Sequence, residues 1–151
     1  MERLYKMGSS PHIRTNENVE KIMYDVIIAL IPALLMSIYF FGIRALFFTI
    51  VSVLGCIITE FMVNNFMKKE KSHFDGSAII TGILLAFLVP SGLPYPLVIL
   101  GAFISIALGK MVFGGLGHNI FNPAAVGRIF LMISYPVAMT TYPLYRDWET
   151  N

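Results

Sequence analysis

Two apolar runs, from Ile22 to Phe41 and from Ala45 to Met67, are each long enough to cross a bilayer as a helix. Such a crossing needs about 20 residues, with roughly 17 as the lower end. Three later runs are shorter or interrupted: Ser77 to Val89, Leu97 to Phe113 and Pro123 to Ser134. Each is bounded by Gly, Pro or Asn. Inside a membrane protein, short broken segments mark places where backbone leaves the helix to line a cavity or hold a ligand. The working part of the chain is therefore expected after residue 72.

Composition agrees with the pattern. Of 151 residues, 56% are hydrophobic and 13% charged, against about 45–50% and about 25% in a soluble domain. The excess reads as membrane rather than as a large core. The polar stretch from Met1 to Glu20 lacks the basic, apolar and small-residue order of a cleavable signal, so the first span is expected to stay. A net charge of +2 gives no case for nucleic acid. The single cysteine, Cys56, lies mid-span without a CxxC partner, so it reads as a small packing residue and not as a metal ligand.

The basic residues orient the chain. Arg3, Lys6, Arg14 and Lys21 precede the first span, and Lys68, Lys69 and Lys71 follow the second, while Arg44 stands alone between them. The positive-inside rule then puts the N-terminus in the cytoplasm. The uncharged loop Pro90 to Pro96 fits the outside, and Lys110 is read as the return to the cytoplasmic face. Five membrane segments result, with a polar tail outside after Ser134. Pro32 is expected to interrupt the first span, and the turn Gly42-Ile43-Arg44 makes the first two spans antiparallel neighbours. Ser52 and Gly55 share a face suited to close helix approach. Asp25, near the start of the first span, is an interfacial carboxylate or an ion-path residue. Glu60, two turns from the basic end of the second, must face protein or water.

Two constellations carry candidate chemistry. In His73-Phe74-Asp75-Gly76-Ser77-Ala78, Asp75 is placed to cap the short helix that follows, and Gly76 permits an unusual turn. In the run from Gly109 to Arg128, Gly114, Gly115 and Gly117 exclude an ordinary lipid-facing helix. Asn122-Pro123 is a helix start, and its N-terminus suits an anion or a ring carbonyl. Arg128, in the short helix beyond, needs a polar partner. There is no strand before the glycines, so they are not a dinucleotide fingerprint. No Ser–His–Asp set, metal-ligand cluster or P-loop stands in the sequence. On residues alone this is a membrane module with a polar site, either half of a transporter or a redox subunit.

Ser10-Pro11-His12-Ile13-Arg14, Asp75-Gly76-Ser77-Ala78 and the run from Gly109 to Arg128 together resemble the NqrB/RnfD family. The match is to the D subunit of the Rnf electron transport complex and, less closely, to the B subunit of the sodium-pumping NADH:quinone reductase. It covers about residues 8 to 143. The resemblance implies an all-α membrane protein of about five transmembrane or half-membrane helices, forming one half of an inverted-repeat bundle. It implies a multi-pass subunit of a bacterial or archaeal inner membrane, partnered by other membrane subunits and by lipid. That complex would link ferredoxin and NAD through flavins and export Na⁺ or H⁺. Gly114, Gly115, Asn119, Asn122 and Arg128 become candidate flavin contacts. Asp75, Glu60 and Asp25 become candidate ion-path groups, with Asp75 first.

The family's FMN is covalent, held through its phosphate by a threonine in a small-residue motif that follows the stretch Tyr135 to Thr141. That motif is absent here, and Thr140, Thr141 and Thr150 lack its context, so no attachment threonine is nominated. The tail after about residue 145 is expected to fall outside the family, as in a truncated product without the covalent flavin. Residues 1–151 alone are expected to be unstable, with Glu60 and Arg128 lacking partners. A transporter half without redox chemistry and a purely structural scaffold are the alternatives.

Overall fold

The computed structural model describes residues 19–66, 76–115 and 117–142. Helix α1 covers Val19–Phe41, α2 Ile43–Phe66, α3 Ser77–Leu88 and α4 Tyr95–Ile106. The last continues as one π-helical turn, Ala107–Met111. Helix α5 covers Pro123–Ser134 and the short α6 Pro136–Thr140. Among the described residues every regular element is helical, as expected for the fold class.

Helices α1 and α2, of 23 and 24 residues, span about 35 Å each at 1.5 Å per residue. That clears a hydrocarbon core of about 30 Å. The 12-residue helices α3 and α5 reach only about 18 Å. Pro32 does not break α1, contrary to expectation. A proline costs one backbone donor, and membrane helices tolerate it where neighbours satisfy the freed carbonyl. Helix α4 begins two residues earlier than its apolar run, because Pro94 and Pro96 preset the backbone of its first turn. Helix α6 has no counterpart among the expected segments, and it buries Met139 in the core in place of an all-polar tail.

Small residues decide how the short helices pack. A Cβ on Gly82 would sit 2.5 Å from the Val53 Cα, so α3 lies directly on the backbone of α2. Ser52 Oγ donates to the Gly82 carbonyl at 2.8 Å across that contact. A Cβ on Gly55 would meet the Ala102 Cβ at 3.0 Å, so α4 packs closely on the other side, through a side-chain contact. The expected small-residue face of Ser52 and Gly55 is thus the one α2 turns toward α3 and α4.

Helices α4 and α5 repeat the device. Gly101, Ser105 and Gly109 recur every four residues along α4 and its π turn, so they line one stripe. They oppose Leu131, Gly127 and Pro123 of the antiparallel α5. A Cβ on Gly127 would fall 2.7 Å from the Gly101 carbonyl oxygen. In lipid, where apolar burial gives helices little reason to associate, such close backbone approach supplies the packing energy. Around these seams Phe48, Cys56, Leu85, Val98, Ile106 and Leu131 form the buried core. Helix α1 contributes no buried residue and lies on the outside against α2 and α3.

These contacts make the glycines sensitive positions. Gly82→Ala and Gly127→Ala should each destabilise the chain by about 1–3 kcal/mol through overpacking. Ala33→Leu, on the exposed side of α1, should be near neutral. Unfolding in detergent by increasing SDS would measure all three.

Candidate functional site

The antiparallel order of α2, α3, α4 and α5 gathers four helix ends at one end of the bundle. The C-terminal part of α2 brings Glu60, the start of α3 brings Ser77, the π turn brings Lys110, and the start of α5 brings Asn122. The seams set the register. Glu60 lies five residues past Gly55, and Lys110 lies eight past Ala102, the residue Gly55 packs against. Gly109 lies so close to Pro123 that a Cβ would stand 2.8 Å from its Cα, which seats Lys110 beside the beginning of α5.

Lys110 is 3% exposed. Its Nζ donates to Glu60 Oε1 and to Ser77 Oγ. Burying a charge is costly unless it is paired and further hydrogen-bonded, and the serine supplies the second contact. On sequence alone Lys110 is a solvated marker of the cytoplasmic face. The structure places it at the end of the bundle where α2 finishes, but inside, closing an ion pair. Glu60 likewise has a partner within the chain, contrary to expectation. The signal for Lys110 is present in the sequence: it is the one charge in the apolar run from Leu97 to Phe113, and intramembrane charges are functional candidates by default.

The π turn carries a further mark. Its i→i+5 bond, Val112 N–H to the Ala107 carbonyl at 3.1 Å, belongs to a class of bulge often found at functional sites. The chain then stops in a Schellman arrangement. Gly115 N–H donates to the Lys110 carbonyl and Gly114 N–H to the Met111 carbonyl, both at 3.1 Å. Gly114 holds φ +114° and Gly115 φ +105°, as such a stop demands. The two glycines expected as flavin contacts therefore end a helix and hold Lys110 in place.

A cavity of about 310 Å³ adjoins the pair, walled by Met23, Ser77, Thr81, Lys110, Asn119 and Asn122 among others. It brings two of the expected contacts, Asn119 and Asn122, to the lysine. Asn122 Oδ1 accepts from Ala124 N–H at 3.0 Å and so caps α5, as its sequence position predicts. Asn119 Nδ2 donates to the Phe121 carbonyl at 3.1 Å. Arg128 lies six residues beyond Asn122, about 9 Å along the axis, is absent from this wall, and makes no hydrogen bond or ion pair among the described residues. Asp25 is exposed on α1 and stays apart, although Met23 on the same helix reaches the cavity. Asp75 lies outside the described residues. The α3 N-cap is Gly76 at φ +75°.

Gly114, Gly115, Asn119 and Asn122 thus use backbone or amide groups within the chain, and Arg128 stands off from them. Of these five residues Asn119 and Asn122 wall this cavity and Gly114, Gly115 and Arg128 do not, so the described residues do not gather all five around it as one cradle for FMN.

Removing one charge of the pair leaves the other buried alone. Lys110→Met should cost about 3–5 kcal/mol, and adding Glu60→Leu should recover most of that loss. Thermal unfolding in detergent would show both.

Residues 6–151 match the NQR2, RnfD, RnfE family, so the likeness runs past residue 145, beyond its expected limit. The chain is 45% identical over 93% of its length to the D subunit of the proton-translocating ferredoxin:NAD(+) oxidoreductase complex of Clostridium ljungdahlii. It is 42% identical over 89% of its length to the D subunit of the Na(+)-translocating ferredoxin:NAD(+) oxidoreductase complex of Acetobacterium woodii. It is 39% identical over 92% of its length to the D subunit of the ion-translocating oxidoreductase complex of Mannheimia succiniciproducens. It spans 43%, 42% and 40% of those three proteins. By the family match and by these relatives, the chain belongs to the NQR2, RnfD, RnfE family.

Proposed function

We propose that this chain is part of the membrane-embedded D subunit of an ion-translocating ferredoxin:NAD oxidoreductase complex. In this reading it crosses a prokaryotic inner membrane several times, with its N-terminus in the cytoplasm, and packs against the other membrane subunits. The observation that carries the ion-path part is the buried Glu60–Lys110 pair beside a cavity that Ser77, Thr81, Asn119 and Asn122 help to wall. A structural pair in lipid has a cheaper substitute in apolar packing. An ionisable pair at the meeting of four helix ends, on a π turn, is what an ion path requires.

Glu60 is the acceptor along that path. Its carboxylate is 12% exposed, so a cation reaching it is shielded from bulk water, and its charge acts at short range. Ser77 and Thr81 offer hydroxyls on the adjoining helix. The covalent FMN of the complete family protein supplies the redox chemistry when bound. We place its attachment outside residues 1–151 and give no threonine of this chain that role.

The test is coupled transport. In inverted vesicles holding the complete complex, Glu60→Gln should lower ion uptake by about tenfold, the equivalent of ~1.4 kcal/mol of lost ion binding, with electron transfer from ferredoxin to NAD persisting. Unchanged uptake would refute the assignment. For the flavin, the 1–151 chain should run dark under ultraviolet light on a denaturing gel. A fluorescent band would overturn the placement of the attachment site.

A further inference from the structure

Arg128 is a charge at membrane depth that the Lys110 site does not use. It is half-buried in the middle of α5 and makes no hydrogen bond or ion pair among the described residues. Its depth follows from the seams. Gly127, beside it, packs on Gly101 and Ser105, and Ala102, next to Gly101, packs on Gly55. Gly55 lies at the middle of the 24-residue α2, about 17 Å from either end. A hydrocarbon core is about 30 Å thick, so Arg128 stands near its midplane. From there the headgroups are farther than an arginine stem can snorkel. Arg128 is also absent from the walls of the cavity beside Lys110, of the cavity between Phe48 and Tyr142, and of the groove between α2 and α4.

A guanidinium keeps its proton in any surroundings, and a charge at that level is costly without a counter-charge. Neutral carbonyls would leave the place net positive. The carboxylates among the described residues are those of Glu20, Asp25 and Glu60. Glu60 is engaged by Lys110. Glu20 and Asp25 are exposed on α1, which packs on α2 and α3 and not on α5. The surface around Arg128 suits a helix. Ala125, Arg128 and Met132 recur at helical spacing, beside the buried stripe of Ala124, Gly127 and Leu131. The small Ala125 lets a neighbouring backbone come close. Ile129 and Ile133 next to them are exposed. Lipid chains suit the isoleucines but give the arginine no counter-charge.

We propose that this face of α5 is a docking surface for a membrane helix from outside residues 1–151, which brings an aspartate or glutamate to Arg128 near the midplane. The planar guanidinium takes both oxygens of such a carboxylate, and the two together carry no net charge. The chain spans 43%, 42% and 40% of the three relatives named above, whose further length has room for that helix. The inference rests on the reading of the chain as part of a membrane subunit, and it is independent of the ion path at Glu60.

The experiment puts the photo-crosslinker p-benzoylphenylalanine in place of Met132 in the complete complex, four residues from an intact Arg128. Irradiated membranes should give an adduct to a peptide from outside residues 1–151, with an Asp or Glu within about one helical turn of the linked residue. Arg128→Gln should lower the yield of that adduct by about tenfold or more, as removing one partner of a buried charge pair implies. Arg128→Asp, combined with an arginine in place of the identified carboxylate, should restore it. A helix held by apolar contact alone would link equally well in all three. Adducts with lipid alone, with residues 1–151, or with a peptide that has no acidic residue near the link would overturn the proposal. So would an Arg128→Gln yield equal to the parent's, or a reversed pair that links as weakly as Arg128→Gln. Should the Arg128 variants fail to accumulate in the membrane, the adduct formed with Arg128 intact decides by the residue it reaches. A complex purified without this chain would sink the reading of it as a membrane subunit. A complex that retains it, with lipid alone at position 132, would sink only the docking surface.

Discussion

An ammonium group with almost no access to solvent must find its counter-charge inside the protein. Lys110 finds Glu60, fifty residues earlier in the chain, and Ser77, thirty-three earlier. Bringing those three groups together requires that the end of α2, the beginning of α3 and the end of α4 meet at one level. The order of the helices, the closeness of their seams and the π turn are conditions of that meeting. The same geometry puts the start of α5 beside the lysine, so the cavity and the pair share a wall.

Close packing does the positioning. Gly82 on Val53, Gly127 on Gly101 and Gly109 on Pro123 are contacts that no larger residue permits without a shift, and Gly55 on Ala102 is nearly as tight. They hold α3 and α4 against α2 and α5 against α4, where the lengths of the short helices alone would not hold them across a bilayer. Most buried hydroxyls on these helices find a carbonyl, Ser52 across the seam at Gly82 and the threonines within their own helix. Thr49, Thr59 and Thr81 each donate to the carbonyl four residues back, which spares the interior unmet polar groups. Ser105 is the exception, with its Oγ pressed between α4 and α5 and unpartnered. The contact with Gly127 is tight enough to account for its isolation.

Much of the fold is legible along the chain because its determinants are local. Apolar length separates α1 and α2 from the shorter elements. Asn122-Pro123 starts α5 as the residue types require, and the glycines after Phe113 stop the π turn. The misreadings have physical causes too. Pro32 looks like an interruption when the rule for prolines in water is applied to a helix in lipid. Helix α6 is five residues long, too short to leave a periodic trace. At Gly114 and Gly115 an unusual backbone suits both a binding loop and a helix stop, and the pattern along the chain does not separate the two.

By itself the sequence determined what depends on neighbouring residues: an all-helical membrane chain, its long and broken segments, the cap at Asn122, and the motifs that mark the family. Only the tertiary structure decided that Lys110 turns inward to Glu60, that Asn119 and Asn122 join its cavity, and that Arg128 and Asp25 do not. A charge in an apolar run announces that it needs a partner. Which carboxylate answers is set by where close-packed helices come to rest, and that depends on contacts between residues far apart in the chain.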